Sequence, residues 1–225
     1  FFEYRKSYSH KKVELYKIMY FIRDNRKVTV VTSEEKDAFY ESLEKVYERV
    51  KQYDFLFKSD IGVFSKSMID YGSQVLLNAF EKQDHAKSLL DVGCGYGTFG
   101  ICLKKLYPEL KVDMVDVNDR ALLLAKENAK NNNVGVTVFE SYTYQNVKET
   151  YDIIISNPPV RAGKEVVTSI LCDAYKFLNN QGQLWIVLQK KQGAPSAKKK
   201  MEEVFGNCDI VKRDKGYYIL VSTKR

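Results

Sequence analysis

The chain has 225 residues; 44% are apolar and 13% aromatic, with only 4 prolines and 12 glycines, and Lys+Arg 36 against Asp+Glu 29 give a formal net charge of +7. This is core material for one large domain, or one domain with an appendage, and it excludes a disordered or collagen-like chain. Apolar runs such as Ala121 to Ala125 fall far below the roughly 18 residues of a membrane span, and Phe1-Phe2-Glu3-Tyr4-Arg5-Lys6 has no signal-like apolar stretch, so a cytoplasmic address without a membrane partner is expected.

Residues 1–58 are expected to form an N-terminal β/α extension. Val13 to Ile22 and Lys27 to Val31 suit a hairpin around Asp24-Asn25. Thr32 and Glu35 have the spacing of a capping box, and the helix they open, at about residues 33–53, carries Phe39, Leu43, Val46 and Val50 on one face. That face needs a partner surface, either the main sheet or a separate ligand.

Residues 59–225 are expected to form the principal domain. From Ser88 onward, short β-branched runs alternate with longer amphipathic stretches, the rhythm of a parallel sheet with crossover helices. Strands are predicted at Leu89 to Val92, Lys111 to Val115, Val134 to Phe139, Tyr151 to Ser156 and Gly182 to Leu188. The helices between and after them fall at Phe99 to Leu106, from Asp119 as N-cap through Ala129, at Lys164 to Leu178 and at Ala197 to Phe205. Cys208 to Val211 and Tyr217 to Val221 are joined by Asp214-Lys215-Gly216, a connection too short for a parallel crossover. The expected architecture is α/β: a seven-stranded, mostly parallel sheet whose last strand is antiparallel.

Two motifs carry chemistry. Asp91-Val92-Gly93-Cys94-Gly95-Tyr96-Gly97 lies between a strand and a helix, where glycines let the backbone approach a ligand closely. Asp116 closes the second strand, where a carboxylate can accept hydrogen bonds from both hydroxyls of a ribose. Asn157-Pro158-Pro159 follows the fourth strand at the mouth of the same crevice. Two prolines remove backbone donors and stiffen the turn, so the Asn157 amide and the Pro158 carbonyl are expected to point outward as fixed acceptors, matched to a planar amino group.

These segments resemble the class I S-adenosylmethionine-dependent methyltransferases with a Rossmann-like fold. Gly62-Val63-Phe64-Ser65-Lys66, Asp70-Tyr71-Gly72-Ser73, Asn157 to Lys164 and Leu184 to Ser196 narrow the resemblance to the small-subunit ribosomal RNA guanine-N2 methyltransferases, in particular short single-domain bacterial members. The resemblance implies that S-adenosylmethionine is the cofactor, S-adenosylhomocysteine the product, and the exocyclic N2 amine of a guanine the acceptor. Asn157, Pro158 and Pro159 would form the catalytic turn. Asp91 would face the methionine amine, Gly93, Gly95 and Gly97 the methionine and ribose, and Asp116 the ribose hydroxyls; Val117, Ser141, Tyr142 and Asn157 complete the cofactor site. Tyr142 stands where the family usually carries an acidic residue toward the adenine, so either Glu140 substitutes or packing holds the ring.

Ribosomal RNA or the small ribosomal subunit is the expected partner, with the base flipped out to reach the crevice. Phe64 would close over it or serve as a core aromatic. Val160, Arg161, Lys164, Lys190 and Lys191 lie beside the turn and on the rim, where the cations would contact phosphates or remain a solvated edge. The 4 cysteines and 2 histidines are scattered, so buried thiols and no metal are expected. A monomer is expected. Three other readings share part of the pattern: transfer to adenine N6 or a protein glutamine, a nicotinamide oxidoreductase, and a catalytically silent RNA-binding module.

Overall fold

The computed structural model describes residues 55–57 and 69–225. The expected N-terminal hairpin and helix, the boundary near residue 58, and Phe64 lie outside the described residues.

The elements in chain order are α1 (Tyr71–Ala79), β1 (Ser88–Val92), α2 (Thr98–Leu106), β2 (Lys111–Asp116), α3 (Asp119–Asn131), β3 (Thr137–Glu140), β4 (Tyr151–Ser156), α4 (Lys164–Phe177), β5 (Leu178–Gln189), α5 (Ala194–Phe205), β6 (Asp209–Asp214) and β7 (Tyr217–Thr223). They build one seven-stranded sheet in the order β3-β2-β1-β4-β5-β7-β6. β7 alone runs antiparallel to both its neighbours, β5 and β6. The tight β6–β7 turn enforces this, with Lys215 and Gly216 both at positive φ. The chain order reverses between β1 and β4, the switch point at which an open α/β sheet forms its ligand crevice.

Alternating residues along the strands face opposite layers. Leu89, Ile153, Ile155, Trp185 and Val187 pack with Leu76 and Phe80 of the α1 end, Phe99 and Ile101 of α2, and Leu122 and Ala125 of α3. Leu90, Ile154, Leu184, Ile186 and Leu220 pack with Ile170 and Leu171 of α4 and Met201 and Phe205 of α5. Burying β4 on both faces requires an unbroken apolar run, and Ile153, Ile154 and Ile155 supply it.

Four boundaries differ from expectation for identifiable reasons. The N-cap of α3 is Asn118, whose side chain accepts from the Arg120 and Ala121 N–H groups; Asp119 is the first helical residue. β3 begins at Thr137 because pairing with β2 starts only at Asp113↔Thr137. β5 begins at Leu178, opposite Tyr151; pairing resumes at Ile153↔Gln183, with Gln181 at φ 64° in the looped-out stretch. α5 starts at Ala194, with Pro195 in a first turn where a missing N–H costs little. Helix α1 was not among the expected elements.

Among the described residues, no helix is long and apolar enough to cross a membrane. Cys94, Cys102 and Cys208 are buried free thiols, and Cys172 is half-buried.

Candidate active site

The loop from β1 to α2 is tied to the end of β2. Gly93 and Cys94 both donate their N–H groups to the Val115 carbonyl, at 2.8 and 2.9 Å. Gly93, Gly95 and Gly97 all adopt positive φ, at 71°, 55° and 95°. Their surroundings differ: a Cβ on Gly97 would lie 2.6 Å from Ile101 Cδ1, whereas one on Gly95 would meet nothing within 4 Å. Gly97 therefore serves the helix start, and Gly95 faces open space.

Asp91 is fully buried. Its Oδ2 accepts the Gly100 N–H at 3.0 Å, while Oδ1 is buried without a partner. Burial, with a smaller contribution from the charge of Asp116, pushes its carboxyl up to about 7. Asp116 is half-buried at the end of β2, and both its oxygens are engaged: Oδ2 accepts from Gly95 N and Oδ1 from Asn118 N, each at 2.9 Å. These bonds fix the carboxylate against the glycine loop and leave each oxygen a further lone pair.

β4 carries its own motif to the same place. Asp91 pairs with Ile155 in parallel register, and Ser156 Oγ donates to the Val92 carbonyl at 2.7 Å. The turn that follows leans onto the glycine loop, with Pro159 Cδ 3.8 Å from the position a Gly93 Cβ would take. One expectation changes. The Pro158 carbonyl accepts the Val160 N–H at 2.8 Å, because Pro159, at φ −73° and ψ 79°, makes an inverse γ-turn. Of the two expected acceptors, the Asn157 Oδ1 has no hydrogen-bond partner among the described residues, and the Pro158 oxygen keeps only one open lone pair.

The Asn157 amide is held from behind by residues at the start of α1. Its Nδ2 lies 3.2 and 3.1 Å from the two Asp70 oxygens and 3.1 Å from Ser73 Oγ. Asp70 also caps α1, accepting from Gly72 N and Ser73 N at 3.0 and 3.2 Å. The intervening residues seat this helix start on the β6–β7 turn: Tyr71 Oη donates to Asp214 Oδ2 at 2.8 Å, and a Cβ on Gly72 would lie 2.6 Å from the Tyr217 ring. In the sequence, the four-residue stretch Asp70 to Ser73 carries a family resemblance and no separate role for Asp70 or Ser73. An N-cap acid was the available local signal.

On the β2–β3 side, Val117 and Tyr142 are exposed apolar residues at 57% and 51%. Ser141 is buried; its N–H donates to Asp116 O and its Oγ accepts from Asn146 N, both at 3.0 Å, so it shapes the loop. Glu140 is exposed. On the other side, Val160 is half-buried against the α4 layer. Arg161, Lys164, Lys190 and Lys191 are exposed beyond the carboxyl ends of β4 and β5, on the same edge of the sheet.

The model of the methyltransferase small domain matches residues 54–221. The chain belongs to the methyltransferase small domain family. Among similar family proteins, the Bacillus subtilis protein YbxB, described as uncharacterized, is 45% identical over 179 residues, covering 78% of this chain and 89% of that one. Ribosomal RNA small subunit methyltransferase C of Buchnera aphidicola is 34% identical over 145 residues, 62% of this chain and 44% of that protein; the corresponding Aliivibrio salmonicida protein is 32% identical over 77% of this chain and 51% of its own. The chain thus spans about half the length of these methyltransferase C relatives. A solved T. thermophilus 16S rRNA N2 G1207 methyltransferase, RsmC, in complex with AdoMet and guanosine, superposes with a TM-score of 0.67 at 24% identity, covering 77% of this chain and 47% of that one. That likeness concerns the fold.

Proposed function

We propose that this chain transfers a methyl group from S-adenosylmethionine to the exocyclic N2 amine of a guanine in small-subunit ribosomal RNA. The observation that carries the reading is the approach of the Asn157-Pro158-Pro159 turn to the glycine loop, with Pro159 against Gly93. It sets an amide acceptor next to a glycine loop that has open space at Gly95. The guanine and rRNA parts are supported by the names of the relatives and by the guanosine in the T. thermophilus complex.

The residues present fit the cofactor. The unpartnered Asp91 Oδ1 suits a cationic amine, directly or through one water, and Asp116 suits the ribose hydroxyls. The exposed Val117 and Tyr142 offer apolar surface for adenine, so packing takes the place of the usual acidic contact. When bound, S-adenosylmethionine supplies an electrophilic methyl group and leaves as S-adenosylhomocysteine.

The chain contributes alignment and electrostatics. A guanine amine is a weak nucleophile because its lone pair is delocalised into the ring. Asn157 Oδ1, accepting one amine N–H, favours the tetrahedral geometry in which that lone pair is available, and the developing positive charge strengthens the bond. The remaining Pro158 lone pair can take the second N–H, and the surplus proton of the methylated amine passes to water. Arg161, Lys164, Lys190 and Lys191 would hold phosphates on either side of the flipped base.

Tritium-labelled S-adenosylmethionine, offered with small subunits and with naked 16S rRNA, tests the reading. After digestion to nucleosides, label should co-elute with N2-methylguanosine, and Asn157→Ala should abolish it. Label in N6-methyladenosine or a protein glutamine, or none with the parent protein, would overturn the assignment.

A further inference from the structure

We propose that Asp70 is a positioning residue for the methyl transfer: it locks the Asn157 carboxamide with its oxygen toward the acceptor amine. The proposal rests on the functional reading above and deepens it. Asp70 lies 87 positions from Asn157 and is brought to it only by the fold.

The argument follows from which groups can donate. Asn157 Nδ2 has two N–H groups, and all three atoms facing it are acceptors: both Asp70 oxygens and Ser73 Oγ. Ser73 Oγ spends its own proton on Asp70 Oδ2, which leaves it an acceptor toward Asn157. A flipped carboxamide would set its oxygen against the carboxylate, lone pair against lone pair, in a half-buried site. The flip is therefore excluded, and Oδ1 faces away from Asp70 with no partner among the described residues. The carboxylate also acts through the amide. A donor bonded to an anion loses electron demand on its N–H side, so the conjugated oxygen becomes a stronger acceptor, and it does so where the attacking amine becomes positive. Ser73 is 4% exposed, so this bonding is shielded from competing water.

Asp70 also caps α1, so the test must separate a cap from a positioning residue. Asp70→Asn keeps the cap, because asparagine caps helices as well as aspartate does. Its new NH2 would take the place of Oδ2 and face Asn157 Nδ2, donor against donor, leaving at residue 70 only the Oδ1 that the cap N–H groups already use, so the hold on the Asn157 amide is weakened and its rotation is no longer excluded. The exchange Asp70→Asn with Asn157→Asp restores the pattern: residue 70 donates, and the residue 157 carboxylate accepts from it while keeping an oxygen for the amine. Asn157→Asp alone sets two carboxylates about 3 Å apart, which then compete for one proton.

The expected result for Asp70→Asn is a kcat about 100-fold lower, the size found when one oriented transition-state group is lost, with S-adenosylhomocysteine affinity within about twofold of the parent. The double exchange should recover at least about tenfold of that loss. The readout independent of activity is the ¹⁵N spectrum of the ligand-free protein. The Asn157 NH2 pair, assigned by its absence in Asn157→Ala, should exchange slowly with water and become solvent-like in Asp70→Ser. That second variant also keeps a capping side chain if Asp70→Asn folds poorly.

The proposal is overturned if Asp70→Asn retains parent kcat while Asn157→Ala is inactive, if the exchange is no better than either single variant, or if the Asn157 pair is solvent-like in the parent. Failure of the functional reading looks different. The parent would leave guanine unmethylated, or Asn157→Ala would match it, while the spectrum still decides the orientation.

Discussion

Asp91 and Gly100 are joined by a hydrogen bond of 3.0 Å that uses only one carboxylate oxygen, and the other is buried with nothing to accept from. An acid so enclosed is costly to ionise, which is why its carboxyl is raised to about 7, and Asp116 opposes ionisation further. A cation bound against that oxygen, as the proposed function requires, would reverse that balance. In the proposed cofactor site, the same residue would couple stability, pH and ligand binding.

Stability of the ligand-free protein should fall as pH rises from about 4 to 7. In that window native Asp91 holds a proton that the unfolded chain has released, so the unfolded state gains relative to the native one. The difference between 3.8 and about 7 corresponds to about 4 kcal/mol, reached fully above pH 7. Urea unfolding of the parent and of Asp91→Asn, at pH 4.5 and 8, measures it: the parent should lose more stability than the variant. Parallel profiles would remove Asp91 from this role.

Binding of S-adenosylhomocysteine, which carries the cationic amine, should strengthen as pH rises toward 7. Its ammonium favours ionised Asp91, so affinity gains up to about tenfold per pH unit below the ligand-free carboxyl's midpoint. Adenosine lacks that amine and should bind with little pH dependence, as should either ligand with Asp91→Asn. Calorimetric titration of both ligands at pH 6 and 8 distinguishes the cases, and an equal slope for adenosine would contradict the pairing.

Gly95 and Gly97 of the loop should fail in different ways. Gly95→Ala keeps open space around the new methyl and costs about 1–2 kcal/mol for a left-handed alanine. Its main effect should be on S-adenosylhomocysteine affinity, lowered at least about tenfold by a methyl in the ligand's space. Gly97→Ala combines φ 95° with a 2.6 Å approach to Ile101 Cδ1, and should cost about 2–4 kcal/mol in stability. Thermal unfolding and titration of both variants test the contrast; equal stability losses with unchanged affinity would refute it.

Local pattern carried the sheet further than it carried the site. Ile153 to Ile155 could scarcely be anything but a strand buried on both faces, and the short Asp214-Lys215-Gly216 turn forced the reversal of β7. The α3 cap is Asn118, one residue before the expected Asp119. It is decided by Asp116, whose Oδ1 takes the Asn118 N–H and turns that residue's amide toward the helix. The fate of the Pro158 carbonyl depends on ψ at Pro159, which no residue type dictates. The Asp70 to Asn157 bond joins two loops through the packing of α1 on β5 and the β6–β7 turn. No periodicity reports such a contact; only its chemistry, an acid and an amide in need of partners, is present in the sequence.

RNA affinity should depend steeply on salt, and the slope should report which lysines matter. The basic excess is not uniform. Lys198 and Lys200 are ion-paired with Glu202 and Glu203 on α5, and Lys224 Nζ donates to the Leu178 carbonyl at 2.8 Å. Arg161, Lys164, Lys190 and Lys191 are exposed along the edge where β4 and β5 end, beside Asn157. Each phosphate neutralised on single-stranded RNA contributes about −0.7 to the slope of log K against log salt. Replacing those four residues by alanine should flatten the slope by up to about 3, while Lys198→Ala with Lys200→Ala should leave it nearly unchanged. Filter binding to a 16S rRNA fragment across a salt series measures both. A slope that stays with the first set and falls with the second would move the RNA path off the crevice edge and onto the outer face of α5.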